Sequence, residues 1–186
     1  MRIPPRSRLF VALDPPPAAR RALAATARDL AGRVGGRPVR AASIHLTLAF
    51  LGEVDPERGG ALAAAVREAL AGPPIRAIPG DVLALPARSR TRVLARALED
   101  PDGALAARAE RVRGAVARAA GVAPERRPHL AHLTLVRMRR ATRIADGALD
   151  VPRERAFAFS RGALYHSVAR GDAPPRYEAL VTLDLE

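Results

Sequence analysis

An α+β fold, with antiparallel sheets facing a central cleft and helices outside, is what three features of the sequence predict. Short apolar stretches of strand length alternate with longer arginine-rich stretches of helical period. The tetrapeptide His-Leu-Thr-Leu occurs at 45 and again at 132, 87 residues apart. The acidic-proline stop after the first strand, Asp14-Pro15, recurs as Asp100-Pro101, 86 residues on. Such recurrence at a fixed offset is the mark of an internal repeat. We expect one two-lobed domain over 1–186, with approximate repeats 8–85 and 92–168 and a closing strand at 177–185.

Arg8 to Asp14 reads as a strand closed by three prolines, and a helix follows from Ala18 to Val34 with Leu23, Ala27, Leu30 and Val34 on one face. Gly35-Gly36 ends that helix. Ile44 to Leu51 is the next strand, and a turn at Gly52 to Pro56 leads into a second helix ending near Leu70. Ile75 to Leu85 is extended but interrupted by Pro79-Gly80, which predicts a bulge. Arg92 to Glu99 restarts the pattern. A helix over 103–120 carries Leu105, Ala109, Val112 and Val116 at the spacing of the first helix, and Leu130 to Met138 is the matching strand. Strands at 156–168 and 177–185 close the chain around a turn at Gly171 to Pro175.

Composition removes several chemistries. In 186 residues there is no Cys, so disulfides, thiolate metal sites and thiol nucleophiles are excluded. All 31 basic residues are arginine, and without lysine no Walker-type phosphate loop can be built. The net charge of +12 suits a polyanionic partner, although a genome that favours arginine over lysine gives the same figure. No segment is long and apolar enough to span a bilayer, and the N-terminus lacks a signal-peptide pattern. We therefore expect a cytoplasmic monomer with no membrane partner.

Strand alternation puts His45 and Thr47 on one face and Leu46, Leu48 and Phe50 on the other; His132 and Thr134 share a face backed by Leu133 and Leu135. One His-x-Thr reads as a hydrogen-bonded pair on a sheet surface. Two identical copies, using two of four histidines, favour a shared site. Imidazoles titrate near neutrality, so one can take a proton while the other gives one, and hydroxyls can hold nonbridging phosphate oxygens. That set suits in-line displacement at phosphorus with no metal and no cofactor.

These residues resemble a family. Arg8-Leu9-Phe10-Val11-Ala12-Leu13, the run from Ile44 to Val54, Arg92-Val93-Leu94 and His132-Leu133-Thr134-Leu135-Val136-Arg137 are similar to the RNA 2′,3′-cyclic phosphodiesterases, or 2′-5′ RNA ligases, of the two-histidine phosphoesterase superfamily. Leu164-Tyr165 with Ser167, Gly171 and Tyr177 resembles the family's closing strands. The resemblance implies hydrolysis of a 2′,3′-cyclic phosphate at an RNA end to a 2′-phosphate. It implies His45 as proton donor, His132 as proton acceptor, and Thr47, Thr134 and Arg137 as phosphate contacts. It also implies ATP-independent 2′-5′ joining, with a 5′-hydroxyl in place of water. The duplication alone does not order the two histidines. Two departures stand out. His129, Leu130 and Ala131 replace an aromatic, an arginine and a proline, and Ala95-Arg96 fall where a large apolar residue is common. Taking His129 as the motif histidine would put Ala131 in the threonine position, so His132 is preferred.

Other residues carry weaker expectations. His129-x-x-His132 has a metal-site spacing, but no carboxylate or thiol pattern supports one. His166 reads as a surface or cleft-edge residue. By strict alternation Arg137 faces away from Thr134 and reaches phosphate only if its strand bulges. Arginines at 88–92 and 137–140 are expected to rim the cleft, whereas Arg20, Arg21, Arg28, Arg108 and Arg111 are expected on solvent faces of helices. Two rival functions share these features. One is a two-histidine enzyme acting on a small cyclic nucleotide or an ADP-ribose-type cyclic phosphate. The other is a non-catalytic RNA-binding module, which the chain's few aromatic residues disfavour.

Overall fold

The computed structural model describes residues 1–4, 8–125, 127–170 and 173–186, the side chains of 169, 170, 173 and 174 excepted. The elements run β1 (Arg8–Leu13), α1 (Pro17–Val34), β2 (Arg37–Pro38), β3 (Leu46–Glu53), α2 (Gly59–Leu70) and β4 (Ile75–Leu85). They continue with β5 (Thr91–Glu99), α3 (Ala104–Ala120), β6 (His132–Thr142), β7 (Phe157–Phe159), β8 (Arg161–Arg170) and β9 (Ala173–Asp184). The strands form one curled antiparallel path in the order β7-β4-β5-β6-β3-β1-β8-β9, with the short β2 added beside β6. The α+β class with outer helices is as the sequence predicts. The region 156–168, expected as one strand, divides at Ser160 into β7 and β8, which pair with different partners. Of the closing turn, residues 171–172 lie outside the described residues, and β9 already begins at Ala173.

The two halves of the sheet meet at a single ladder pair, Leu46 of β3 against Leu133 of β6. Behind that junction lie Leu46, Leu48, Leu133 and Leu135, all buried, with α1 packed on β6 and α3 on β3. The apolar stripes read from sequence do this packing: Leu23, Ala27 and Leu30 of α1, and Leu105, Ala109, Val112 and Val116 of α3, are all buried. Asp100 does more than stop β5. Its carboxylate accepts from the backbone N–H groups of Leu105 (3.0 Å) and Ala106 (2.9 Å), capping the unsatisfied first turn of α3.

Both motif strands carry a bulge one step past the threonine. On β3, Ala12 lies opposite Thr47 and Val11 opposite Ala49, so Leu48 and Ala49 together occupy one step, and both are buried. On β6, Ala95 lies opposite Thr134 and Leu94 opposite Val136, so Leu135 and Val136 do the same. After each bulge the alternation inverts. Phe50 therefore does not point toward the helices as expected; it turns to the cleft side and is 74% exposed. Arg137 likewise joins His132 and Thr134 on the open face.

Several arginines are not where a solvent-face reading puts them. Arg108 is buried, and with Arg111 it donates to the carbonyls of Ala69, Leu70, Ala71 and Pro73, closing the C-terminal turn of α2. Arg20 pairs with Asp14 at 2.7 Å. Arg21 and Arg28 are exposed, as expected. Arg96 of β5, flagged by its departure from the family pattern, is 1% exposed and pairs with buried Glu154 at 2.8 Å. It also donates to the carbonyls of Gly80 (2.9 Å) and Pro152 (2.8 Å), and Glu154 accepts from Thr26 of α1 at 2.6 Å. The Pro79-Gly80 bulge predicted in β4 is present, and it frees the Gly80 carbonyl for this contact.

Candidate active site

A cavity of about 460 Å³ opens over the β3–β6 junction. His45, Thr47, His132, Thr134 and Arg137 all line it, together with Arg8, Phe10, Phe50, Ser167 and Tyr177. The backbone explains the convergence. An antiparallel register through Leu46 and Leu133 sets His45 across from Thr134 and Thr47 across from His132. The two histidines then lie on one diagonal of the ladder, within reach of each other across the cavity floor.

Each histidine is oriented in the same way. His45 Nδ1 lies 2.9 Å from the carbonyl of Ser43, and His132 Nδ1 lies 2.8 Å from that of Leu130, in both cases two residues back. A carbonyl only accepts, so Nδ1 carries the proton and donates, and Nε2 is the nitrogen offered to the cleft. Ser43 ends a 3-10 turn (Ala41–Ser43), whose geometry holds its carbonyl under the ring. His45 is then enclosed by aromatics: Phe10 stacks on it at 4.9 Å, and Tyr177 meets it edge-on at 5.2 Å. Tyr165 stacks on Phe10 at 5.3 Å, lies 6.4 Å from the His45 ring, and donates its hydroxyl to Asp14 at 2.6 Å.

Burial in that enclosure is the main reason the His45 imidazole is pushed down to about 4. The Ser43 carbonyl opposes the shift, while Arg137, Arg20 and His132 add repulsion of the protonated ring. In the unliganded protein at neutral pH, His45 is therefore uncharged.

His129 does not share the catalytic face. Its Nε2–H donates to the carbonyl of Thr47 at 2.9 Å, which ties the segment before β6 to β3 beside the single ladder pair. Among the described residues, no third His, Asp or Glu joins His129 and His132 in a group that could hold a metal ion. His166, expected at the surface or the cleft edge, is instead buried and lies 3.0 Å from Glu178 across the β8–β9 ladder. Of the arginines expected to rim the cleft, Arg137 does so. Arg88 instead donates to the Ala145 carbonyl at 2.7 Å and pairs with Asp146, and Arg90, Arg92 and Arg140 do not line the cavity.

Sequence reading did not place Arg8, Phe10 or Phe50 at the site. Phe50 had a usable signal: two successive core-type residues, Leu48-Ala49, in a strand otherwise alternating, which is how a bulge is written.

Comparison with known proteins identifies relatives of this chain. The family model for LigT-like phosphoesterases matches residues 13–94. The chain is 38% identical over 136 residues to the RNA 2′,3′-cyclic phosphodiesterase of Escherichia coli K12, a match covering 70% of this chain and 71% of that protein. The crystal structure of E. coli LigT complexed with 3′-AMP aligns with a TM-score of 0.78 at 29% identity, covering 96% of this chain and 98% of that one. A crystal structure from Thermus thermophilus aligns equally well, with a TM-score of 0.78 at 26% identity over 95% and 97% of the two chains. Identity at this level over more than two thirds of both proteins reflects kinship and not shared architecture alone: the chain belongs to the LigT-like phosphoesterase family.

Proposed function

We propose that the protein hydrolyses 2′,3′-cyclic phosphate ends of RNA to 2′-phosphomonoesters. The observation that carries this is the paired geometry. Two imidazoles, each fixed by an i−2 carbonyl so that Nε2 meets the cleft, flank a space floored by two threonine hydroxyls and closed by Arg137. The curated E. coli relative, named for the same activity, supports it.

The reaction needs two proton transfers on opposite sides of one phosphorus. His132 takes a proton from water as the water oxygen bonds to phosphorus. The bond from phosphorus to the 3′ oxygen breaks, and His45 gives that oxygen its proton, leaving a 3′-hydroxyl and a 2′-phosphate. Thr47 and Thr134 donate to the nonbridging oxygens, and the Arg137 guanidinium balances the charge that builds there. His45 is neutral in the free protein, so substrate must help to load it. A phosphodiester anion seated against Arg137 replaces repulsion around His45 with attraction and raises its proton affinity. With a 5′-hydroxyl in place of water the same steps run as 2′-5′ joining.

We also read 8–85 and 92–168 as copies of one ancestral unit. The shared bulge after each threonine and the shared histidine–carbonyl bond support that reading.

The test is an RNA oligomer ending in a 2′,3′-cyclic phosphate, incubated with chelator. Conversion to a 2′-phosphate by the wild type, and its loss in His45→Ala and His132→Ala, is the expected result. An untouched end, or undiminished turnover by both variants, overturns the assignment.

A further inference from the structure

A second cavity, of about 560 Å³, adjoins the first and shares Arg137 and Tyr177 with it. Arg37, Arg40, Ser43 and Arg139 add to its lining, and no carboxylate lines it among the described residues. Elsewhere part of the chain's positive charge is neutralised by ion pairs. Arg20, Arg33, Arg88, Arg96, Arg113 and Arg153 are each committed to a carboxylate partner. Among the described residues, Arg40, Arg137 and Arg139 have no ion-pair partner.

The groove is also built at a cost. β2 places Arg37 directly opposite Arg137 on β6, and like charges facing each other across a ladder destabilise it. The strands are nevertheless held close. Val39 N–H donates to the Leu135 carbonyl at 2.7 Å, and Gly36 sits at φ +111° where a Cβ would lie 2.9 Å from both Met138 Sδ and Val136 Cγ1. The same segment runs on to Ser43, whose carbonyl holds the His45 ring. A ladder that gathers guanidinium groups beside a phosphate-sized site is stabilised when anions lie along it.

We infer that this groove is the binding site for the internal phosphates of a single-stranded RNA, immediately upstream of its cyclic end. This rests on the proposed reading of the neighbouring site and narrows its substrate to oligomers over mononucleotides. Arg137 spans both cavities and touches the reacting group; Arg40 and Arg139 touch only the upstream chain.

The deciding experiment compares kcat/KM on a 2′,3′-cyclic mononucleotide and on a short oligoribonucleotide with the same end, for wild type and an Arg40→Ala/Arg139→Ala variant. Wild type is expected to prefer the oligomer. The variant is expected to lose tenfold or more on the oligomer while staying within twofold on the mononucleotide, which also shows that it is folded. The logarithmic salt dependence of oligomer turnover should flatten by about 1.4 for two lost phosphate contacts. Equal use of both substrates by wild type, or an equal loss on both in the variant, overturns the inference. If wild type turns over neither substrate, the reading of the histidine site fails. The groove is then judged by fluorescence anisotropy of a 5′-labelled RNA oligomer: weaker binding by the variant supports it, and equal binding refutes it.

Discussion

His45 makes the protein sensitive to acid in a way that one substitution should remove. Its imidazole is held near 4 in the folded chain by burial among Phe10, Tyr165 and Tyr177, with Arg137, Arg20 and His132 adding repulsion; the unfolded chain restores the ordinary 6.5. Because the folded value is the lower one, the unfolded state binds the extra proton. Stability at pH 7 is unaffected, falls as pH drops below 6.5, and stops falling below about 4. At pH 5 the unfolded ring is almost fully protonated and the folded ring almost fully neutral, which costs about 2 kcal/mol; the full span corresponds to about 3 kcal/mol. His45→Gln keeps an N–H for the Ser43 carbonyl and removes the titration. Urea unfolding of both proteins at pH 7 and pH 5 should show wild type losing about 2 kcal/mol more than the variant. The carboxylates titrate in both proteins and cancel in the comparison. Equal losses in the two proteins, or an imidazole resonance for His45 that titrates near 6.5 by NMR, would refute the reasoning.

Four further outcomes follow from the same geometry. Thr47→Ala and Thr134→Ala should each lower kcat on the cyclic-phosphate oligomer by about 10²-fold, with melting temperature little changed, because both hydroxyls act on charge that develops during reaction. Arg137→Ala should raise the NMR midpoint of His45 and raise KM, and Arg137→Lys should not restore KM, since an ammonium lacks the paired donors of a guanidinium. Phe50→Ala should raise KM by roughly 5- to 100-fold if the ring stacks on the terminal base, without loss of stability by thermal melt, because the side chain is already exposed. Arg96→Leu should destabilise the fold by about 3–5 kcal/mol in chemical denaturation by stranding Glu154 in the interior, and adding Glu154→Leu should recover most of it.

The motif pair was readable from sequence because strand alternation and an exact repeated tetrapeptide act over only four residues, and four residues suffice to put His and Thr on one face. Strict alternation past the motif turns Phe50 and Arg137 away from the cleft, and Arg137 reaches phosphate only through a bulge; such bulges stand at Leu48-Ala49 and Leu135-Val136, where a one-residue insertion in the ladder moves the next side chain to the opposite face. Arg108 was misread although its position was informative: it falls between Leu105 and Ala109–Val112 on the stripe that packs inward. Its charge suggested solvent, but the open carbonyls at the end of α2 satisfy it inside. Arg96 shares its strand face with Leu94 and Leu98, so its burial also followed from alternation. What the sequence could not supply was the partner. Glu154 comes from the long irregular stretch between β6 and β7, whose path no local rule predicts.

The paired bulges also give the molecule a sense of direction. Up to each threonine the two strands present the same side chains in the same order, so a site made of those alone would look identical when turned end over end. The first position beyond each bulge differs, with an exposed ring at Phe50 and a guanidinium at Arg137. An RNA end is itself polar, with a base on one side of its last phosphate and the rest of the strand on the other. A ring on one flank and a charge on the other allow an otherwise reversible socket to accept that end one way round.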